Sequence, residues 1–344
     1  MNKKLTIVAA SLAAVISGSA AAQSLAIYAW SGELPQEIID DFVAETGIDV
    51  TMDTFDANET MMAKVAVGAS GYDLIEPSQY AVQVLAKQGR LLKLDHSKMP
   101  NTENVGYVFQ GMEYDPGMQY SVPYVWGTTG LGYSKACFDE APTSWKALFD
   151  PEMEGRIYIL DNMLSAYIVG LQVNGFKAST TDPKEIEIAT QTLIDQKPLL
   201  AGYNSSNYAD LLGTGDACVV EGYNNNVAQA IASQGSDKIG YVVPEEGGTM
   251  WVDNWAIPAN AENVDAAYQF INYIMDPVVA AKTARISNGS TTVTEAIAML
   301  PDEVANNPAI YPPAEQLENV DFILDVGDAM KLYQDGWTQV KLAP

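Results

Sequence analysis

Histidine is almost missing from this chain: 344 residues carry one, His96. A Ser-His-Asp nucleophile system is excluded unless His96 itself serves, and any metal site built on several histidines is excluded outright. No D-x-D-x-D-G run is present, so a calcium loop of the EF-hand type is absent too. Cysteine is nearly as scarce, with only Cys137 and Cys218. Two thiols can pair in an oxidising compartment, but their sequence positions say nothing about their distance, and both outcomes stay open. Positive charge is short as well, 18 Lys and Arg against 44 Asp and Glu. Nucleic acid and anionic lipid are therefore implausible partners. The acidic excess itself reads as a general surface property rather than a ligand signature.

Long apolar runs are missing beyond the N-terminus. Residues 1–22 have the form of a secretory signal: Lys3 and Lys4, a short Ala-rich apolar core, then Ala20-Ala21-Ala22 before Gln23. That core is too short and too rich in Ala and Ser for a membrane span, and no later segment reaches about 20 apolar residues. The expectation is an exported, soluble, periplasmic protein without a lipid anchor. Removing the signal leaves 322 residues, enough for two domains.

Short apolar strands alternate with amphipathic helical segments. Leu25–Tyr28, Ile48–Met52 and Asp73–Ile75 read as strands. Pro35–Thr46 (stopped by Gly47), Glu59–Val67 and Val82–Gln88 read as helices. This order predicts a mostly parallel sheet covered on both faces. Ligands of such sheets bind beyond the carboxyl ends of the strands, which draws attention to Trp30, Ser31 and Glu33 after the first, and Glu76, Ser78 and Tyr80 after the third. Residues 121–135, rich in aromatic, β-branched and Gly residues, suit a strand passing from one domain to the next. A second α/β series runs from Trp145 to Val243, with a helix over Asp182–Asp195. Helices at Val264–Met275 and Pro277–Ile286 follow the return.

Trp251-Val252-Asp253 carries the most chemistry. On an extended segment the Trp and the carboxylate, two residues apart, share a face. A ring beside a fixed negative charge receives an alkylammonium group through cation–π attraction and a charge-assisted hydrogen bond. A half-buried strand with a structural Trp and a solvated Asp is the plainer alternative for the triplet alone.

The segments YAWSGELPQEIIDDFVAETGIDV (28–50), DANETMMAKV (56–65), YDLIEPSQY (72–80), YSVPYVWGTTGLGY (120–133), WVDNWAIPANAENVDAA (251–267) and NPAIYPPAEQL (307–317) carry a likeness. In them the chain resembles the periplasmic polyamine-binding proteins, the spermidine and putrescine receptors of ABC importers. The resemblance implies a two-lobed α/β fold, each lobe a mainly parallel sheet flanked by helices, closing on a ligand. It puts crossings near Gly130, Trp255 and residue 300. Residues 23–130 with 256–300 then form one lobe, and 131–255 with 301–344 the other. It also implies a monomer that serves permease and ATPase subunits, does no chemistry and holds no cofactor or metal.

Carried over by position, the resemblance matches Trp30, Ser31, Ser78, Tyr80, Tyr223, Trp251 and Asp253 to a ligand-binding box. The acids fit less well. The first-loop acid is replaced by Gly32, with Glu33 one residue on to restore the charge. Two acids of the second lobe become Asn162 and Ser165, with Asp161 adjacent. Asn226 and Ile323 replace a further acid and a Gln. Asp253 can hold one ammonium; a second needs Glu33, Glu76, Asp161 or Glu221. Glu221 shares the Tyr223 face if that segment is a strand, although a solvated surface acid is the simpler expectation. One retained carboxylate leaves a smaller or zwitterionic amine as the alternative ligand, for which Arg156 or Arg285 would supply the anion partner. A two-carboxylate glycosidase and a purely sensory receptor are the readings from other classes; no motif favours the first, and only the partner separates the second.

Overall fold

The computed structural model describes residues 23–67 and 71–344, so the signal-like segment lies outside the described residues. Ten strands order the chain: β1 Ser24–Trp30, β2 Asp49–Phe55, β3 Leu74–Ile75, β4 Ser121–Ser134, β5 Ile157–Ile159, β6 Leu200–Tyr203, β7 Val219–Tyr223, β8 Ile239–Val242, β9 Thr249–Ala256 and β10 Asp321–Phe322. They run in the order β2-β1-β3-β9-β4-β7-β5-β6, with β10 beside β9 and β8 beside β4.

The three strands expected near the N-terminus are parallel, with β1 between β2 and β3. A second parallel group places β5 between β6 and β7. Two long antiparallel strands join the groups and give the two-lobed arrangement. Residues 121–129 of β4 pair with β9, whereas residues 129–133 pair with β7. At its other end β9 meets β3 through Ile75 and Ala256.

The helices obey the local signals. Residues Gln36–Thr46 are helical, and Gly47 closes them at φ 71° with its N–H on the Val43 carbonyl. Asp182 caps Pro183–Gln196 from the Lys184 N–H, and Asp276 caps Pro277–Ser287 from the Val278 N–H. The third helix begins earlier than its apolar pattern predicts, at Gln79 rather than Val82. Gln79 is buried there because its side chain bonds the backbone of the crossing strand, donating to the Met250 and Ile323 carbonyls and accepting the Val252 N–H.

Leu25, Ile27, Phe42, Trp255 and Phe270 fill one core, with the Phe42 and Phe270 rings 5.1 Å apart. In the second parallel group, Trp145, Ile157, Tyr167, Leu193 and Val219 are buried together. Cys137, just after β4, and Cys218, just before β7, form a disulfide with Cα atoms 5.5 Å apart. The pairing of β4 with β7 brings them to that distance.

Candidate functional site

The carboxyl ends of β1, β3 and β7 converge on the stretch of β9 where it passes between the two parallel groups. β1 delivers Trp30, packed 4.6 Å from Phe55. Gly32 follows at φ 86°, a conformation that suits glycine, and the tight turn over 31–34 sends the Glu33 side chain back inward. The chain therefore has its acid one position later than the resemblance implies. Ser31 is exposed, and its N–H is held by the Phe55 carbonyl.

β3 ends in Glu76, which is 0 % exposed. One oxygen of Glu76 accepts the Trp30 N–H at 2.9 Å, and the other has no protein partner. Ser78 bridges to Asp253 across the sheet edge, and its hydroxyl donates to Asp253 Oδ1 at 2.5 Å. Asn58 holds Ser78 from the other side. Tyr80 is buried and donates to Glu59 at 2.8 Å.

On the crossing strand, Trp251 and Asp253 do share a face. Gly127 pairs with Trp251 in the register, and the ring lies where a Cβ at 127 would stand. Tyr223, at the end of β7, meets Trp251 edge-on with ring centres 6.4 Å apart. Trp30, Trp251 and Tyr223 are half-buried, and Asp253 is 5 % exposed.

Three carboxyl groups, two from the ends of β1 and β3 and one from β9, thus come together. Burial pushes Asp253 up to about 7, with the Ser78 hydroxyl and the Trp30 indole opposing. Burial also raises Glu33 well above the usual carboxylate range, and the Asp253 charge adds to it. Glu76 rises for the same reason, then through Glu33 and Asp253, against the Trp30 N–H. Among the described residues, no Lys or Arg forms an ion pair with any of the three. Buried charge of one sign without a counter-ion is costly, and it makes a strong attractor for a cation.

Other acids fall elsewhere. Asp161 is half-exposed and pairs with Lys341 at 2.7 Å, outside the buried group. Glu221 is not a surface acid: it is 0 % exposed, accepts from the Ser165 hydroxyl at 2.7 Å and the Leu160 N–H, and rises to about 7 through burial. The Tyr223 hydroxyl is raised by burial first, then by the charges of Glu221 and Asp253. Asn162 is spent on capping the helix Met163–Gln172 from the Ser165 N–H. Asn225 reaches Glu33 from the second parallel group at 3.4 Å. Sequence reasoning passed over Tyr124, whose buried hydroxyl has no partner and feels Glu76 and Glu33. It falls at a register irregularity between Pro123 and Val125, which leaves no mark in an apolar run.

Comparison with known proteins identifies the family. Residues 37–312 match the model of a family described as bacterial extracellular solute-binding protein. The chain is 36% identical over 320 residues to a spermidine/putrescine-binding periplasmic protein of Escherichia coli, covering 92% of this chain and 91% of that one. It is 32% identical over 360 residues to a putrescine-binding periplasmic protein of Pseudomonas aeruginosa, covering 98% and 97%. Among solved structures, a putative spermidine/putrescine ABC transporter protein from Listeria monocytogenes superposes with a TM-score of 0.88 at 30% identity, over 94% of this chain and all of that one.

Proposed function

The chain belongs to the bacterial extracellular solute-binding proteins, and from that premise we propose that it captures polyamines, putrescine or spermidine, for an ABC importer. One observation carries the reading: buried Glu76 and Asp253 and half-buried Glu33 stand beside Trp30, Trp251 and Tyr223 with no basic partner among the described residues. A polyamine supplies what that site lacks, two or three positive charges on an apolar chain that packs against rings. The ligand contacts are Trp30, Ser31, Glu33, Ser78, Tyr80, Tyr223, Trp251 and Asp253. Asp161 joins them as a rim acid, its charge already answered by Lys341.

The alternative, a smaller zwitterionic amine, needs a cation for its carboxylate. Arg156 does not suit that task, because its guanidinium is held by the Gly215 carbonyl and the Cys137 sulfur. Arg285 lies in the last turn of the helix Pro277–Ser287. The acids around Asp253 would repel a carboxylate.

The protein acts in the periplasm as a monomer, delivers its ligand to permease and ATPase subunits, and catalyses nothing. No helix among the described residues is long and apolar enough to cross a membrane. Lobe closure rests on β4 and β9, with residues 23–130 and 256–300 opposite 131–255 and 301–344. Calorimetric titration of ligand-freed protein tests the reading. Putrescine or spermidine should bind at micromolar or lower concentration, whereas γ-aminobutyrate and butylamine should bind far more weakly. Tight binding of the zwitterion alone would replace polyamine capture with the alternative.

A further inference from the structure

Three buried oxygens at the floor of the site have no partner: Glu76 Oε1, Glu33 Oε2 and the Tyr124 hydroxyl. They come from three separate elements, the end of β3, the turn after β1 and the irregular point in β4. Tyr124 is 3 % exposed, its ring is packed 5.0 Å from Trp255, and both glutamates act on its hydroxyl. A polar atom buried without a partner is unusual, and each of these three calls for a donor. Among the described residues, no acid cluster has the spacing of a metal site.

We propose that Glu76 Oε1, Glu33 Oε2 and the Tyr124 hydroxyl form a three-acceptor cage for one terminal primary ammonium of the ligand. An –NH₃⁺ group has three N–H donors and no acceptor, so it satisfies all three oxygens at once. Asp253 is then left for the second nitrogen. Its Oδ1 is already fixed by Ser78, so the next ammonium along the chain meets its remaining lone pairs. Ligand selection follows from donor number as well as charge. A terminal nitrogen that has lost N–H groups to methylation keeps its charge but leaves cage oxygens unsatisfied. This inference rests on the polyamine reading and assigns Glu76 and Tyr124 a specificity role within it.

The experiment uses the full mature protein, freed of ligand, and two probes of equal charge and spacing: putrescine and N,N,N′,N′-tetramethylputrescine. Calorimetry on the wild type should favour putrescine by at least 100-fold. Glu76→Gln keeps the shape and the acceptor for the Trp30 N–H. It should weaken putrescine at least tenfold and narrow its advantage over the methylated probe. Tyr124→Phe should act in the same direction, by a smaller factor. The thermal midpoint of empty Glu76→Gln should equal or exceed that of the wild type, whereas a structural glutamate would lower it. A wild type that binds both probes alike, or a Glu76→Gln protein with unchanged putrescine affinity, would overturn the cage alone. A wild type that gives no heat with putrescine or spermidine would instead remove the polyamine reading, and the cage with it.

Discussion

Replacing Asp253 by Asn separates what the carboxylate does for the ligand from what it does to the empty protein. In the empty site, burial lifts the group from 3.8 to about 7. That shift of roughly 3 units, at about 1.4 kcal/mol each, means that holding Asp253 ionised at pH 8 costs the fold on the order of 4 kcal/mol. The sign follows from the direction of the shift. A carboxyl whose folded value is raised contributes its full stability below pH 4, and that contribution drains away as pH climbs to about 7. Empty wild-type protein should therefore melt progressively lower between pH 5 and pH 8, and Asp253→Asn should flatten that slope and melt higher at pH 8. The Asn oxygen still accepts from Ser78, so no hydrogen bond is lost there. Binding moves the other way. Removing one partner of a desolvated charge pair costs about 2–5 kcal/mol, roughly thirtyfold to several thousandfold in affinity at pH 8. At pH 5, where the empty wild type is itself protonated, the gap between the two proteins should shrink. Melting curves and calorimetric titrations at pH 5 and 8 read both effects. A variant that is destabilised when empty at pH 8, or a binding gap independent of pH, would refute the reasoning.

Three other substitutions probe separate parts of the fold. Gly127→Ala places a methyl group where the Trp251 ring and the Asn224 side-chain amide oxygen lie; the ring must shift, so amine affinity should fall more than tenfold, read by Trp fluorescence titration. Replacing both Cys137 and Cys218 by Ser opens a loop spanning 81 residues, which should lower stability by about 4 kcal/mol, or roughly 6 °C in melting temperature, and leave affinity within twofold. Lys341→Ala breaks an exposed pair with Asp161; it should change stability by less than about 1 kcal/mol and shift putrescine affinity by no more than about threefold, since the rim acid it frees stays solvated.

Local signals reached far into this fold. Gly47, Asp182-Pro183 and Asp276-Pro277 set helix ends that depend only on neighbouring residues, and the Trp251 and Asp253 spacing fixed their common face because strand side chains alternate. The site was half legible by the same logic, for Trp30, Ser78 and Tyr223 follow strands directly. Glu33 was recoverable because Gly32 ahead of it marks a turn. Glu221 was misjudged as a surface acid, since its burial comes from Ser165 and Leu160, some 60 residues away in the chain. The early start of the helix at Gln79 was hidden for a similar reason: its buried amide is satisfied by strand backbone at 250, 252 and 323.

The amino-acid order alone determined the alternation of strands and helices, the acidic character and the ring-and-carboxylate pair at 251–253, because each depends on residues close in the chain. Only the tertiary structure decided that Cys137 meets Cys218, that Asp161 is neutralised by Lys341, and that Glu33, Glu76 and Tyr124 each keep a buried oxygen without a partner. Those outcomes rest on strand pairings between distant segments, β4 with β7 and β3 with β9. Burial, and with it the cost of an unanswered charge, exists only once those segments have met.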